Sequence, residues 1–390
     1  MKDKFKFLLF TTLITSSWSS YVCSQEEKGV SVLINTEAVY DDNIYRVIDE
    51  LSESDFYFNV SPELKLAGGT GKQFYVLSYI GDYSRFADIS EANYSDHDIH
   101  GKINFEHTLR FSSKLEARYQ KEHEDPGSIN RIQLDITEYN KYDLSYIVAG
   151  FAYGKESSVG KVELDYTRVN KKYEETELNF LNYSSDELSG TFTYRLAPRT
   201  KVYLAAGISE LDYDPSIDFE LDNTFNIYQI GVSWQFSNKL IGDVNVGYQE
   251  RDYIQETVRD ISGLSYDGNI DWLINTYTTI NLNATREALD SSIEGTGGFV
   301  RTSYGFRLSH LIKELFEIET MAAYSEDDLI FISSSRQDER YDFSLSFNYR
   351  FYRDLEIGTY YSYQERKSSL DLADFKSNVV GIKIIGKWSH

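Results

Sequence analysis

The chain has 390 residues, a formal net charge of −23 and an apolar fraction of 41%. This acidic balance disfavours a basic surface for nucleic acid, and no uninterrupted apolar run is long enough for a membrane-spanning helix. Only 4 prolines occur beside 32 tyrosines, a composition that suits long, regular strands rich in aromatic residues. Because no low-complexity linker divides the chain, we expect one large β domain.

The first residues have the pattern of a secretory signal. Three lysines precede a short apolar core at residues 7–14, and residues 22–24 (Val-Cys-Ser) offer small side chains at a cleavage site. We therefore predict a cleaved signal peptide over residues 1–24, which leaves a mature chain with a formal charge of about −25. A rival interpretation is a lipoprotein acylated at Cys23, which the bulky Val22 disfavours. Cleavage after Ser24 removes the only cysteine and so excludes disulfides and thiolate chemistry.

From about residue 29 to the end, apolar and polar side chains alternate in segments long enough to cross a bilayer as strands. Side chains of a strand point alternately to its two faces, so each segment predicts a two-sided wall. In residues 341–351 the apolar face is Tyr341, Phe343, Leu345, Phe347, Tyr349 and Phe351, and the polar face is Asp342, Ser344, Ser346, Asn348 and Arg350. Residues 188–196, 227–236 and 355–364 repeat the pattern.

Short turns and longer polar loops separate these segments. We expect short turns near 67–71, 110–113, 154–160, 197–199, 237–239, 274–276, 311–313 and 351–353. We expect loops near 41–54, 84–95, 125–137, 170–183, 213–223, 251–260, 288–299, 327–338 and 367–376, with acidic clusters such as 41–42 and 326–328. Nine hairpins, or 18 strands, follow from this count. Sixteen strands is the alternative, because the pattern is weakest around 255–290.

Residues 25–390 are therefore predicted to form one transmembrane antiparallel β-barrel, with short periplasmic turns and longer extracellular loops. A β-propeller would need four short strands per repeat, and a soluble sandwich would have a polar outer face. Closure leaves no unpaired strand edge in lipid. We expect a bulge at Pro62, which removes one ladder donor. Aromatic residues near the strand ends should lie at the membrane interfaces, namely Tyr75, Tyr83, Tyr119, Tyr248, Trp272, Tyr324 and Trp388.

Several short segments resemble a known family of outer-membrane β-barrels encoded with exopolysaccharide-synthesis operons in Gram-negative bacteria. The matching segments span nearly the whole mature chain and occur in the same order and spacing. They are 60–66 (VSPELKL), 93–97 (NYSDH) with Gly101, 119–124 (YQKEHE), 194–200 (YRLAPRT) and 375–378 (FKSN). The resemblance implies a role in the assembly or export of an extracellular polysaccharide, connected with biofilm. It carries over no catalytic residues.

Candidate chemistry is sparse in this sequence. His97 and His100 are three residues apart, so in a strand they point to opposite faces and cannot share a metal. Glu317 and Glu319 share one inward face, but a glycosidase pair needs a geometry that sequence does not supply. Residues 41–43 (Asp-Asp-Asn) offer oxygens for Ca²⁺ without EF-hand spacing. We therefore predict no catalytic residue, no cofactor and no metal site, and no enzyme activity.

The predicted inward faces carry charges of both signs, as a hydrated lumen would. The candidate lumen-lining residues are Lys102, Glu106, Arg118, Arg195, Tyr203, Arg307, Glu317, Glu319, Arg350 and Tyr360. Further charged residues on these faces are Glu116, Lys161, Glu163, Asp165, Lys201, Asp243, Asp342, Glu356, Lys383 and Lys387, and Phe151 is also placed inward. Aromatic rings in such a wall could stack on sugars, or they could simply pack against a plug.

The sequence thus favours a pore-like or scaffold component of exopolysaccharide export in the Gram-negative outer membrane. The alternative is a general or substrate-specific diffusion porin, and a less favoured one is an enzyme on a barrel scaffold. The expected partners are outer-membrane lipid and lipopolysaccharide, the barrel-assembly machinery, and possible exopolysaccharide and periplasmic export components, with no nucleic acid.

Overall fold

The computed structural model describes residues 28–129, 139–214, 220–291, 296–331 and 335–389. The predicted signal peptide, with Cys23, lies outside these residues. Within them, short 3-10 helices occur only at Asp49–Leu51, Ser90–Ala92, Thr176–Leu181 and Asp371–Ala373. No described helix is both long and apolar enough to cross a membrane.

Eighteen antiparallel strands make up nearly all of the described structure. They are β1 (Gly29–Asp41), β2 (Asp55–Thr70), β3 (Gln73–Phe86), β4 (Tyr94–Glu106), β5 (Phe111–His123), β6 (Lys141–Tyr153), β7 (Gly160–Tyr173), β8 (Tyr183–Ala197), β9 (Thr200–Tyr213), β10 (Asn223–Ser237), β11 (Leu240–Tyr253), β12 (Ile261–Asn275), β13 (Thr278–Asp290), β14 (Thr296–Ile312), β15 (Phe316–Phe331), β16 (Ser335–Tyr352), β17 (Leu355–Ser368) and β18 (Phe375–Ser389).

The sheet closes on itself, because β1 pairs with both β2 and β18. The closing ladder runs from Ser31 opposite Ser389 to Asp41 opposite Val379. Every strand therefore has a hydrogen-bonded neighbour on each side, as hydrocarbon requires of a structure without a free edge. The predicted barrel of 18 strands is confirmed, and the alternative of 16 is wrong.

The two ends of the barrel differ in the length of their connections. One end, here called the turn end, carries eight short connections. The start of β1 and the end of β18 lie at the same end. At the other end, the loop end, seven of the nine connections have 6–17 residues, and the remaining two, 291–295 and 332–334, are as short as turns. The turns are 71–72, 107–110, 154–159, 198–199, 238–239, 276–277, 313–315 and 353–354, and the loops are 42–54, 87–93, 124–140, 174–182, 214–222, 254–260, 291–295, 332–334 and 369–374. Each lies at or next to its predicted position.

One predicted loop is largely strand. The acidic residues 326–328 lie within β15, and most of the predicted loop 327–338 belongs to β15 and β16. Their ladder continues, with Asp327 opposite Asp338. The polar composition suggested a loop because strands that extend beyond the lipid no longer need an apolar face.

The barrel wall has an apolar outer face and a polar inner face. Phe58, Leu204 and Ile382 point outward and are 65%, 57% and 56% exposed, whereas inward polar side chains such as Ser346 and Asn348 are buried. The seven predicted interface aromatics all lie on the outer face, with Tyr75, Trp272 and Trp388 toward the turn end and the other four toward the loop end. This arrangement fits a wall between lipid and water.

The predicted bulge at Pro62 is wrong. Pro62 pairs with Ile34 in an unbroken ladder between β1 and β2. On its other side, the β2–β3 ladder skips residues 61–62 but resumes in the same register, from Val60 opposite Tyr83 to Glu63 opposite Ile80. The proline, which has no backbone N–H, therefore interrupts the ladder locally, but no extra residue is inserted as a bulge would require.

Adjacent residues of β10 test the assignment of the two faces. Ile230 is 57% exposed on the outer face, and its neighbour Gln229 points inward and donates a hydrogen bond to Asn245 (2.9 Å). Ile230→Arg should lower the free energy of unfolding by about 2–4 kcal/mol, because it places a charge in hydrocarbon. Gln229→Arg, the matched control, should cost much less, because its side chain reaches water. Urea unfolding in lipid vesicles measures both, and a larger loss for Gln229→Arg would contradict the assignment.

Candidate functional site: the barrel interior

All ten candidate lumen-lining residues lie on the polar inner face, opposite the exposed apolar side chains. Most of them contact polar groups on a neighbouring strand or on the next strand but one. The ion pairs are Arg118 with Asp98, Lys102 with Glu116 (3.8 Å), Arg307 with Glu319 (3.4 Å) and Arg350 with Glu356 (3.5 Å). The hydrogen bonds run from Ser309 to Glu317, from Tyr203 to Asp243 and from Tyr360 to Glu37, each 2.8 Å long. Arg195 and Glu106 lie near the turn end. The inner wall is thus cross-linked by ion pairs and hydrogen bonds.

Water reaches many of these ion pairs. The side chains of Lys102, Arg307 and Arg350 are 39%, 34% and 33% exposed although they point into the barrel. Ion pairs that stay hydrated avoid most of the desolvation cost of a buried pair. The turn half of the interior is therefore a polar space lined by flexible, hydrated charges.

The inward placement of Phe151 is wrong. Phe151 and Ile147 lie on the outer face of β6 and are 55% and 54% exposed. The inner face of β6 at this height is Val148 and Gly150, and the ion pair between Lys114 and Asp165 (2.9 Å) leaves no room for a Cβ atom at Gly150. Because β6 carries apolar residues on both faces, alternation alone could not assign its direction.

The third loop (residues 124–140, of which 124–129 and 139–140 are described) reaches the far wall of the barrel. It joins β5 to β6, but the carbonyl of Gly127 accepts a hydrogen bond from Arg340 on β16 (3.3 Å), and that of Ser128 from Arg366 on β17 (3.1 Å). Ile129 packs among inward residues of β13, β14 and β15, namely Leu289, Phe299 and Leu329. This part of the chain therefore crosses the interior and narrows it.

The carboxylate of Asp125 helps to hold the crossing segment. It accepts a hydrogen bond from the backbone N–H of Gly127 (2.7 Å) and lies near the guanidinium groups of Arg340 and Arg46. Burial alone would raise the pKa of Asp125, but the two arginines and the backbone bond outweigh it and lower this pKa below its usual value. The ionised carboxylate is thus the form that the folded loop favours.

A buried lysine fixes the start of the same loop. Lys171 on β7 lies over the rings of Tyr142 and Tyr173, 4.3 and 4.5 Å from their centres, and donates a hydrogen bond to the Tyr173 hydroxyl (2.7 Å). Tyr173 in turn donates to Glu124, the first residue of the loop. Cation–π contacts and charge-assisted hydrogen bonds strengthen when water is excluded, so this set anchors one end of the crossing segment.

Other loops are held inside the barrel by apolar clusters. Leu221 and Val258, from the loops 214–222 and 254–260, pack with inward residues Phe225, Tyr253 and Ile261. Similar clusters contain Ile44, Tyr45, Val47, Ala92 and Tyr139 at one position and Tyr142, Tyr173 and Leu181 at another. The loop end of the interior is therefore narrowed all round, in contrast to the turn half.

The inner wall of β11 and β12 is acidic. Asn269 has Asp267 and Asp271 on either side of it along β12 and faces Asp243 on β11. Asp243 accepts from Tyr203, and Asp271 from Asn281 (2.8 Å). Among the described residues, no lysine or arginine forms an ion pair with these three carboxylates. Only Asp243 was among the predicted inward charges. Asp267, Asn269 and Asp271 alternate with Tyr266, Ile270 and Trp272, and this alternation marks the same inward face in the sequence.

The suggested calcium ligands at 41–43 are engaged within the protein. Asp41 pairs with Arg46 (2.8 Å), and Asp42 accepts hydrogen bonds from the backbone and side-chain nitrogens of Asn378 (2.6 and 2.8 Å). Asn43 donates to the carbonyls of Val47 and Lys376. These residues fasten the first loop to β18. In the described part of the chain, no group of histidine, cysteine, aspartate or glutamate side chains is arranged to hold a metal ion.

The histidines in the described part of the chain contact separate partners and do not cluster with one another. His97, on the outer face, contacts the Tyr79 hydroxyl (3.0 Å), and His100, on the inner face, contacts Glu116 (2.9 Å), so their predicted placement on opposite faces is confirmed. His123, where β5 ends, pairs with Asp96 (2.9 Å) and lies between the rings of Tyr94 and Tyr139.

Several solved bacterial proteins have a similar fold. OccK9 (OpdG) of Pseudomonas aeruginosa has a TM-score of 0.53 at 10% identity, covering 92% of this chain and 98% of its own. OccAB3 of Acinetobacter baumannii has a TM-score of 0.50 at 11% identity, covering 93% and 99%. OpdK of P. aeruginosa, solved with vanillate, has a TM-score of 0.50 at 11% identity, covering 92% and 99%. At these identities the likeness concerns the fold alone.

No curated protein sequence matches this chain. A sequence family described as "putative beta-barrel porin 2" matches residues 31–387, from the third residue of β1 to two residues before the end of β18. Since the match covers the closed barrel as a whole, the chain belongs to this family of porin-like β-barrels.

Proposed function

We propose that the protein is a diffusion channel of the outer membrane that passes small polar solutes selectively. The observation that carries this proposal is the hydrated, charged interior of the turn half, with a crossing loop that narrows it. Barrels of this size have room for an aqueous passage. The family and the fold support this alternative better than the favoured prediction from sequence, exopolysaccharide export, for which the described residues offer no specific feature.

The route to the membrane belongs to the same proposal. Residues 1–24 would direct export and be removed, and the mature barrel would be inserted by the barrel-assembly machinery into lipid and lipopolysaccharide. A role with exopolysaccharide and periplasmic export components stays a prediction. Surface polysaccharide assayed on a gene-deletion strain tests it, and unchanged polymer would contradict it.

The channel itself is tested by electrical recording. The mature chain, refolded and inserted into a planar bilayer, should give discrete and reproducible conductance steps, because ions cross a hydrated lumen without a covalent step. Liposomes that contain the protein should swell in isotonic solutions of small permeant solutes. Correctly folded protein that gives neither conductance nor swelling would contradict the proposal.

The acidic wall of β11 and β12 predicts a preference for cations. In Asp243→Asn/Asp267→Asn/Asp271→Asn the cation-to-anion permeability ratio should fall by about twofold for each carboxylate, since a unit charge about 8 Å away in water is worth about 0.5 kcal/mol. Reversal potentials in a salt gradient measure the ratio.

A matched control removes three carboxylates from the outer face near the loop end, in Asp186→Asn/Asp212→Asn/Asp252→Asn. The ratio should then change little, because these side chains do not face the lumen. An equal fall in both variants would mean that overall charge, and not the acidic wall, sets the preference.

The lowered pKa of Asp125 predicts an acid-sensitive crossing loop. The ionised carboxylate stabilises the folded loop fully above its pKa in the unfolded chain, about 3.9, and this stabilisation is lost as the pH falls through the lower pKa of the folded state. Single-channel current should be steady at neutral pH and should become noisy at pH below about 4. In Asp125→Asn it should be noisy at neutral pH as well.

Asp88→Asn, at an exposed residue of the second loop, is the control, and it should resemble the unaltered protein at every pH. Steady current from Asp125→Asn at neutral pH would show that this carboxylate does not hold the loop.

A further inference from the structure

The charges of the connections are sorted between the two ends of the barrel. In every loop except 332–334, acidic residues outnumber basic ones. The turns are richer in bases, since each of them except 276–277 contains a lysine or arginine. These residues, here called the basic ring, are Lys72, Arg110, Lys155, Arg199, Lys239, Lys313 and Arg353. An acidic residue accompanies the base in only three of these turns, namely Glu156, Glu314 and Asp354. A strongly acidic chain therefore presents a basic rim at one end.

The basic ring is available to a partner. All of its side chains belong to exposed residues, and that of Arg353 is 93% exposed. Within the described structure, the contacts of the ring's side chains are limited to a weak pair between Arg353 and Asp354 (3.8 Å) and a hydrogen bond from Lys239 to the carbonyl of Ile274 (3.3 Å). The charged groups of the basic ring are therefore largely free to bind a partner, whereas arginines of the inner wall such as Arg307 are paired with carboxylates.

Large apolar side chains accompany these bases in or beside the same turns. Leu109 is 77% exposed next to Arg110, Phe236 is 66% exposed near Lys239, and Tyr352 is 65% exposed next to Arg353. A long basic side chain beside an exposed apolar one is the arrangement found at membrane interfaces, where the apolar part enters the bilayer and the charge stays at the head groups. The turn end thus has the chemistry of a lipid interface.

We infer that the basic ring binds the phosphate head groups of anionic phospholipids in the leaflet at the turn end. One base on seven of the eight turns gives a spacing of about two strands, or roughly 10 Å, around most of the wall. Such a ring matches a surrounding layer of separate head groups. A soluble acidic protein or polyanion would instead favour one contiguous patch and would leave the adjacent apolar side chains unused.

Three tryptophans make this inference measurable. Trp234, Trp272 and Trp388 lie on the outer face near the turn-end limits of β10, β12 and β18. The remaining tryptophan, Trp18, falls in the predicted signal peptide. Quenching of tryptophan fluorescence by brominated lipids therefore reports on lipid at the turn end. Arg199 and Lys239 lie in turns adjoining β10, and Arg353 lies in the turn that precedes β17, the neighbour of β18.

The experiment compares brominated phosphatidylglycerol with brominated phosphatidylcholine in vesicles that contain the folded mature chain. The relative binding constant should favour phosphatidylglycerol about fivefold, the equivalent of about 1 kcal/mol for a base near an anionic surface. Arg199→Gln/Lys239→Gln/Arg353→Gln should bring the ratio close to 1, and high salt should do the same to the unaltered protein.

A matched control removes three bases from the outer face near the loop end, in Lys121→Gln/Lys172→Gln/Lys367→Gln, and it should keep the preference. Equal binding of the two lipids, a preference that survives in the turn variant, or an equal loss in the control would each overturn the inference, and so would a ring that binds a soluble polyanion but not the anionic lipid. The single change Arg353→Gln, at a nearly fully exposed side chain, serves where the triple variant does not fold.

Discussion

The structure depends on one constraint, the pairing of every backbone N–H and C=O group that lies in hydrocarbon. An unpaired polar group there costs several kcal/mol, and lipid offers no partner. The ladder between β1 and β18 meets this constraint by joining residues at opposite ends of the chain, such as Val32 and Trp388. Once the sheet is closed, the alternation of side chains along each strand sets the character of the two faces. The outward face must be apolar because it meets lipid, and the inward face is free to carry polar groups.

The polar inner face is stable because its charges meet across strands and keep some water. Pairs such as Arg307 with Glu319 are partly hydrated, so they contribute little stability but allow many charges to line one space. Near the loop end the balance changes, since Arg336 and Asp338 form a pair whose side chains are only 3% and 1% exposed. Loss of one partner of such a pair is costly, because it leaves the other charge buried and unpaired.

Local pattern was enough to predict the barrel, its 18 strands and the inward direction of residues such as Arg350, because a period of two is written along each strand. It gave the wrong direction for Phe151, because both faces of β6 are apolar. It also predicted a loop at 326–328, where the strands continue beyond the lipid. It could not reveal the crossing loop. The bonds from Arg340 to Gly127 and from Arg366 to Ser128 join residues 213 and 238 positions apart, and no periodicity encodes contacts at such separations.

The way the crossing loop is held also indicates which residues determine its position. Arg340 and Arg366 donate to backbone carbonyls, which every residue possesses, so the side chain at Ser128 matters little to these bonds. The arginines matter more, because their rigid forks define where a carbonyl can sit. At Gly127 space is only slightly short, since a Cβ atom there would lie 3.2 Å from a carboxylate oxygen of Asp125 and at contact distance, 3.4 Å, from Phe375. The wall of the barrel, more than the sequence of the loop, therefore sets how far the interior is narrowed.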